Sequence, residues 1–207
     1  MNNKKSGEKT LLLSIIMSSP GPLVVGLGLI VGRSSTQLAD FVRRCAELLA
    51  IITSFVVYVI THKDGVCDLN KKRKMEHCSN IFVGAMMCFA GAIMAILALM
   101  INSKDKGNVI PGLAIAVLGV IANGFFWVRY TRLNKSEQNA ILAVQARLYR
   151  AKTLVDASVV LALLTVLISP KSMVSYWFDV MGSIIVALYL IWCGIQTVYE
   201  ELKQKIS

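Results

Sequence analysis

The sequence predicts an all-α membrane protein built as a bundle of six transmembrane helices. Hydrophobic residues make up 56% of the 207 residues and charged residues only 16%, which gives a mean hydropathy of +0.63. A helix needs about 20 mostly apolar residues to cross a hydrocarbon core of about 30 Å, and the chain contains several such segments. The lipid bilayer is therefore the expected surroundings of most of the chain.

Six apolar segments are long enough to be predicted spans, separated by short polar connections. Residues 1–10 are predicted to be an N-terminal tail, residues 11–199 the six-helix membrane domain, and residues 200–207 a C-terminal tail. The predicted spans are residues 11–32, 38–60, 79–101, 109–128, 148–168 and 176–199.

The basic residues are distributed unevenly along the chain. Most of them lie in the two tails and in the connections that follow spans two and four. The other three connections carry only Arg33, Lys104, Lys106 and Lys171. Because cytoplasmic loops are enriched in Lys and Arg, both termini and the two basic connections are predicted to be cytoplasmic. The net charge of +10 is then a topology signal, and nucleic acid is not an expected partner.

Proline and glycine interrupt the first span. Pro20, Gly21 and Pro22 fall near its middle, where proline removes a backbone hydrogen bond and clashes with the preceding turn. Two interpretations are open: a simple kink, or a broken helix that exposes backbone groups to a substrate.

Small residues form a stripe on span three. Gly84, Cys88, Gly91 and Ala95 follow a 4,3,4 spacing, which puts them on one helix face and lets another helix approach closely. The partner could be a helix of the same chain or a second copy of the protein.

Two charged pairs interrupt the apolar stretches of spans two and five. Arg43 with Glu47 and Lys152 with Asp156 are each separated by four residues, so each pair shares one helix face. A charge at membrane depth costs a few kcal/mol or more and normally faces the protein interior or a water-filled cavity. These four residues are the first candidates for a functional site.

Signals for an enzyme or a metalloprotein are weak. His62, Cys67, His77 and Cys78 surround the connection after span two, but their spacing is irregular for a metal site. No phosphate-binding glycine loop or arrangement of nucleophile and base is recognisable. We expect neither enzymatic activity nor a cofactor.

Several motifs resemble the cation diffusion facilitator family. The run GRSSTQLAD over residues 32–40 resembles the G-x-S-x-x-x-L-A-D entry to the second span of that family. Residues 73–76 resemble the element that opens the third span, Asn123 the asparagine of the fourth, and Asp179 with Gly182 the start of the sixth. Six spans, cytoplasmic termini and a basic connection between spans four and five also suit the family.

The resemblance implies a transporter, usually dimeric, that exchanges a divalent cation such as zinc or manganese for protons. In the family, two H/D-x-x-x-D pairs on the second and fifth helices hold the metal at mid-membrane. Carried over to this chain, the first pair corresponds to Arg43 and Glu47, and the second to Lys152 and Asp156. Because neither arginine nor protonated lysine has a lone pair to donate, no tight zinc site is predicted.

Span five can be aligned with the second pair of the family in two registers. Arg150 and Leu154 occupy the second pair in the alternative register. Helical geometry at about 100° per residue favours the first register, because it places the polar residues of this helix on one stripe and the alternative pair on the opposite side. That stripe consists of Gln145, Tyr149, Lys152 and Asp156.

Two functions follow from these residues. In a cation/proton exchanger, Asp40, Glu47 and Asp156 would bind the cation or proton, and Arg43 or Lys152 would act as a built-in counter-cation. In a non-transporting relative, the charges would form a structural salt-bridge network in a membrane interaction or regulatory protein. A transporter should keep its carboxylates accessible to water, whereas a structural network should be sealed from water.

Four further polar residues are candidates for an accessory role at the charged site: Asn123, Gln145, Tyr149 and Asp179.

Overall fold

The computed structural model describes residues 2–31, 35–62, 68–100, 110–168 and 173–206, and within these ranges the chain is helical with no strand. The first predicted span corresponds to α1 and α2, and spans two to six correspond to α3 to α7. The all-α membrane fold predicted from the sequence is confirmed. The helices are α1 (Asn2–Ser18), α2 (Pro20–Val31), α3 (Ser35–His62), α4 (Leu69–Met100), α5 (Ile110–Glu137), α6 (Ala140–Ile168) and α7 (Met173–Ile206).

Three helices of the described part are long and apolar enough by themselves to cross a membrane. The spanning segments are Phe41–His62 in α3, Leu69–Met100 in α4 and Ile184–Lys203 in α7. The first predicted span does not meet this criterion as a single helix, because its break divides it into helices of 17 and 12 residues.

The helices extend well beyond the apolar segments, so the predicted connections were too long. α4 begins at Leu69, ten residues before the predicted span, and its first turns carry the basic run that the sequence placed in a loop. α5 and α6 are separated only by Gln138 and Asn139. Gln138 has a φ of 47°, a left-handed conformation that turns the chain sharply. The hydropathy pattern marks the apolar part of a helix and not its polar ends.

Asparagine begins α6 at this tight turn. Asn139 Oδ1 accepts hydrogen bonds from the backbone amides of Ile141 at 2.9 Å and Leu142 at 3.3 Å. This is an N-cap, which satisfies amides that have no partner within the helix. The cap explains how two long helices can follow each other with only two residues between them.

Polar contacts join helix ends at one end of the bundle. The N-terminal part of α1, the ends of α3, α5 and α7, and the starts of α4 and α6 all meet there. Both termini and both basic connections therefore share one side, as an even number of spans requires; that this side is cytoplasmic remains a prediction. The contacts are Arg129 Nε to Thr10 Oγ1 at 2.7 Å, Tyr58 Oη to Glu137 Oε2 at 2.7 Å, His77 Nδ1 to Glu201 Oε2 at 2.9 Å, and Arg147 Nη2 to Glu200 Oε2 at 2.6 Å.

The small-residue stripe of α4 packs against α7 of the same chain. A Cβ atom added to Gly84 would lie 2.9 Å from the carbonyl oxygen of Gly194, and one added to Gly91 would lie 2.9 Å from the carbonyl oxygen of Ala187. The thiol of Cys88 lies between them, 3.5 Å from the carbonyl oxygen of Ile191. The stripe therefore serves packing within the chain, where the two backbones approach too closely for larger side chains.

Candidate functional site

The interruption of the first span is a kink of a single residue. The backbone amide of Ser19 still donates to the carbonyl of Ile15 at 2.9 Å, and α2 begins at Pro20. Because proline has no N–H, Pro20 cannot donate to the carbonyl of Ile16. The hydroxyl of Ser19 donates to that carbonyl instead, at 3.0 Å. This bond is what a simple kink requires, but Pro22 also lacks an N–H, so the choice between the two interpretations stays a prediction.

A cavity of about 980 Å³ lies among α1, α2, α3, α5 and α6. Its wall includes the kink residues Pro20, Gly21 and Pro22, which the sequence had not connected with the charged pairs. The remaining wall is mostly apolar and aromatic, with a few convergent polar groups, as is common for ligand-binding cavities. Its charged and amide side chains are Arg43, Arg44, Glu47, Asn123, Lys152 and Asp156.

Glu47 links the two predicted charged pairs. Its Oε1 accepts a hydrogen bond from Arg43 Nη1 at 2.8 Å, one turn away on α3. Its Oε2 lies 3.5 Å from Lys152 Nζ on α6. The three side chains are only 10–13% exposed, so the attraction between them is weakly screened by solvent. The result is a continuous ion-pair chain across the interface between α3 and α6.

Lys152 also faces an aromatic ring. Its Nζ lies 5.0 Å from the centroid of Tyr149, within the range of a cation–π interaction. The hydroxyl of Tyr149 is 3.2 Å from Ser18 Oγ, which connects α6 to the end of α1 next to the kink. Tyr149 thus lies beside the charge cluster, as its place on the predicted stripe suggested.

Asp156 has an uncharged hydrogen-bond partner. Asn123 Nδ2 on α5 donates to Asp156 Oδ2 at 2.6 Å. One turn earlier on α5, a Cβ atom added to Gly119 would lie 2.6 Å from the same oxygen, which is closer than a side chain tolerates. Gly119 and Asn123 therefore form a cradle for the carboxylate. The family resemblance indicated Asn123, whereas no sequence pattern indicated Gly119, although their separation of four residues places them on one helix face.

Gln145 lies away from the central cavity. It is completely buried and its Nε2 donates to Ser54 Oγ on α3 at 2.7 Å. It does not belong to the residues that line the cavity in the described part of the chain. Its side chain therefore joins α6 to α3 outside the described cavity wall.

The alternative register on α6 points elsewhere. Leu154 is 43% exposed, and the guanidinium of Arg150 lies 5.8 Å from the ring of Tyr189 on α7. Neither residue lines the described cavity wall, whereas Lys152 and Asp156 both do. The geometry agrees with the choice that the helical stripe favoured.

Two further candidates, Asp40 and Asp179, belong to α3 and α7, but their side chains lie outside the described residues. Cys67 also lies outside the described residues. Within the described ranges, no group of three or more His, Cys, Asp or Glu side chains is arranged to hold a metal ion. Of the two histidines, His77 pairs with Glu201, and His62 Nδ1 lies 2.9 Å from the carbonyl of Tyr58.

A known protein family covers nearly the whole chain. The family model of the cation efflux transmembrane domain matches residues 11–204. No curated protein matches the chain.

Proposed function

Because this chain belongs to the cation diffusion facilitator family of membrane cation transporters, we propose that it exchanges a cation for protons at the cluster formed by Glu47, Lys152 and Asp156. The observation that carries the proposal is the cavity of about 980 Å³ whose wall contains both carboxylates. A network that served only to hold helices together would have no need of such a space.

The charges of the cluster favour a singly charged substrate. Arg43, Arg44 and Lys152 carry three positive charges against the two negative charges of Glu47 and Asp156, so the described charged groups of the cavity wall are not negative without a ligand. A divalent ion would add two uncompensated charges in a largely buried site, where such charges are costly. It would also meet three cations that offer no lone pairs. A proton or a monovalent cation is the substrate class that fits best.

The carboxylates are the groups best suited to couple cation and proton. A carboxylate oxygen can hold either a proton or a monovalent cation, whereas Arg43 and Lys152 act as built-in counter-cations. When a cation leaves Glu47 or Asp156 and a proton takes its place, the total charge of the cluster stays the same. The proposed exchange is therefore one cation for one proton.

A second function has support of its own. The ion pairs from Arg43 through Glu47 to Lys152 are continuous, and each side chain is about nine-tenths buried. This is what a structural network in a non-transporting relative would require. In that case the chain would act as an interaction or regulatory partner of another membrane protein.

Flux measurements in proteoliposomes test the proposal. We expect an outward or inward gradient of K⁺ or Na⁺ to drive protons in the opposite direction in the wild type, as reported by an enclosed pH indicator. Glu47→Gln and Asp156→Asn should each abolish the flux, because each change removes a carboxylate that would hold the cation or the proton. Lys74→Gln, which removes an exposed cation on α4, is the control and should leave the flux unchanged.

If the correctly folded wild type shows no cation-dependent proton flux, cation/proton exchange is contradicted and the structural network is favoured. Flux driven by Zn²⁺ or Mn²⁺ but not by K⁺ or Na⁺ would contradict the substrate class.

A further inference from the structure

A second groove lies on the outer side of α5, next to α1, and shares Ile121 and Phe125 with the wall of the central cavity. Its volume is about 610 Å³. It combines an apolar portion with two arginines, Arg129 and Arg132, at the end of α5 where the helix termini of the bundle meet. The groove is lined by Ser6, Ile121, Gly124, Phe125, Val128, Arg129, Arg132 and Leu133.

The two arginines form a positively charged end of the groove. They are three residues apart, so both guanidinium groups project from nearly the same side of α5. Arg129 is held in place: its Nε donates to Thr10 Oγ1 at 2.7 Å, and its Cζ lies 5.9 Å from the ring centroid of Phe125. Arg132 is exposed. A guanidinium group suits recognition of a phosphate oxygen because its donors form a rigid fork.

The apolar portion of the groove faces outward from the bundle. Ile121, Phe125 and Val128 are 64%, 51% and 46% exposed, an arrangement that suits contact with lipid chains. From Ile121 to Arg132 the helix rises about 16 Å, at 1.5 Å per residue. That length is close to half of a hydrocarbon core of about 30 Å. The groove therefore has the polarity and the length of one lipid in one leaflet.

We propose that this groove binds an anionic phospholipid, with its phosphate on Arg129 and Arg132 and an acyl chain along Ile121, Phe125 and Val128. Charge complementarity selects an anionic lipid over a zwitterionic one. The arginines lie at the end of the bundle predicted to be cytoplasmic, and the cytoplasmic leaflet carries the negative surface potential. Basic pockets between transmembrane helices on this side are suited to acidic headgroups.

Native mass spectrometry of the full chain, released from nanodiscs that contain equal amounts of phosphatidylglycerol and phosphatidylcholine with matched acyl chains, tests the proposal. The wild type should retain one phosphatidylglycerol in preference to phosphatidylcholine. A cation near an anionic headgroup contributes about 1 kcal/mol, which is about a fivefold effect on this preference. Arg132→Gln should therefore lower the preference about fivefold, and the double change Arg129→Gln with Arg132→Gln by more.

Three controls distinguish lipid binding in the groove from attraction to surface charge and from binding of free phosphate. Lys74→Gln removes an exposed cation from α4 and should leave the preference unchanged, whereas an equal loss would assign it to general surface charge and overturn the proposal. Arg129→Lys keeps the charge and should keep most of the preference. Excess inorganic phosphate should not displace the retained lipid; displacement would show that the arginines bind phosphate alone. Equal retention of both lipids by the wild type would also overturn the proposal.

Discussion

The ion pair between Glu47 and Lys152 gives the sharpest test of the site, because Glu47 also pairs with Arg43. Glu47 contacts Arg43 at 2.8 Å and Lys152 at 3.5 Å. At an effective dielectric constant of about 20, two unit charges 3.5 Å apart attract by about 5 kcal/mol before desolvation is subtracted. Glu47→Gln leaves two cations without this carboxylate, whereas Lys152→Met leaves Glu47 still in contact with Arg43.

The two single changes should therefore differ in cost. Breaking a buried pair by removal of one partner typically costs about 3 to 5 kcal/mol, and we expect Glu47→Gln to fall in this range. Lys152→Met should cost less, about 1 to 3 kcal/mol, because Glu47 keeps its stronger partner. The double change should cost no more than Glu47→Gln alone, so the coupling energy should be about 1 to 3 kcal/mol.

Thermal unfolding in detergent, followed by the fluorescence of the three tryptophans, measures these differences. For a chain of this size, 1 kcal/mol corresponds to a shift in Tm of about 2 to 4 °C, so Glu47→Gln should lower Tm by about 6 to 20 °C. Lys152→Arg keeps the charge and serves as the matched control. If the losses of the single changes add in the double variant to within about 0.5 kcal/mol, the two groups do not interact and the reasoning fails.

Three other predictions concern the cradle, the metal and the topology. Gly119→Ala should displace the carboxylate of Asp156, lower unfolding stability by about 1 to 3 kcal/mol and reduce flux in proteoliposomes. The control is Gly124→Ala on the same helix, whose added Cβ would lie 3.7 Å from its nearest neighbour, and it should change stability and flux by little. Equal effects of Gly119→Ala and Gly124→Ala would refute the cradle. Titration calorimetry should detect no micromolar zinc binding to the wild type, whereas Arg43→Asp combined with Lys152→His should create it. Cys67, between α3 and α4 in the sequence, should not react with a membrane-impermeant thiol reagent added to intact cells. Modification of Cys67 would contradict the prediction that this connection is cytoplasmic.

Local sequence patterns determined the membrane class, the helical spans and the residues on the interior face of span five. Hydropathy is a property of about 20 neighbouring residues, and helical periodicity fixes which side chains share a face. This is why Arg43 could be paired with Glu47, and why Lys152 and Asp156 were favoured over Arg150 and Leu154. The same patterns could not locate the polar ends of the helices, where α4 starts at Leu69 and a cap at Asn139 joins α5 to α6.

The contacts between groups on different helices depend on the tertiary structure. That Glu47 reaches Lys152, that Asn123 holds Asp156, that Gly119 makes room for this carboxylate, and that the kink at Pro20 borders the same cavity all depend on how α1, α2, α3, α5 and α6 are placed. The same helix face could pack against any of several other helices. Which helix it contacts depends on the close packing of many side chains at once. Helical periodicity therefore predicts which charged side chains share a face, and the packing of the bundle sets which groups on other helices they contact.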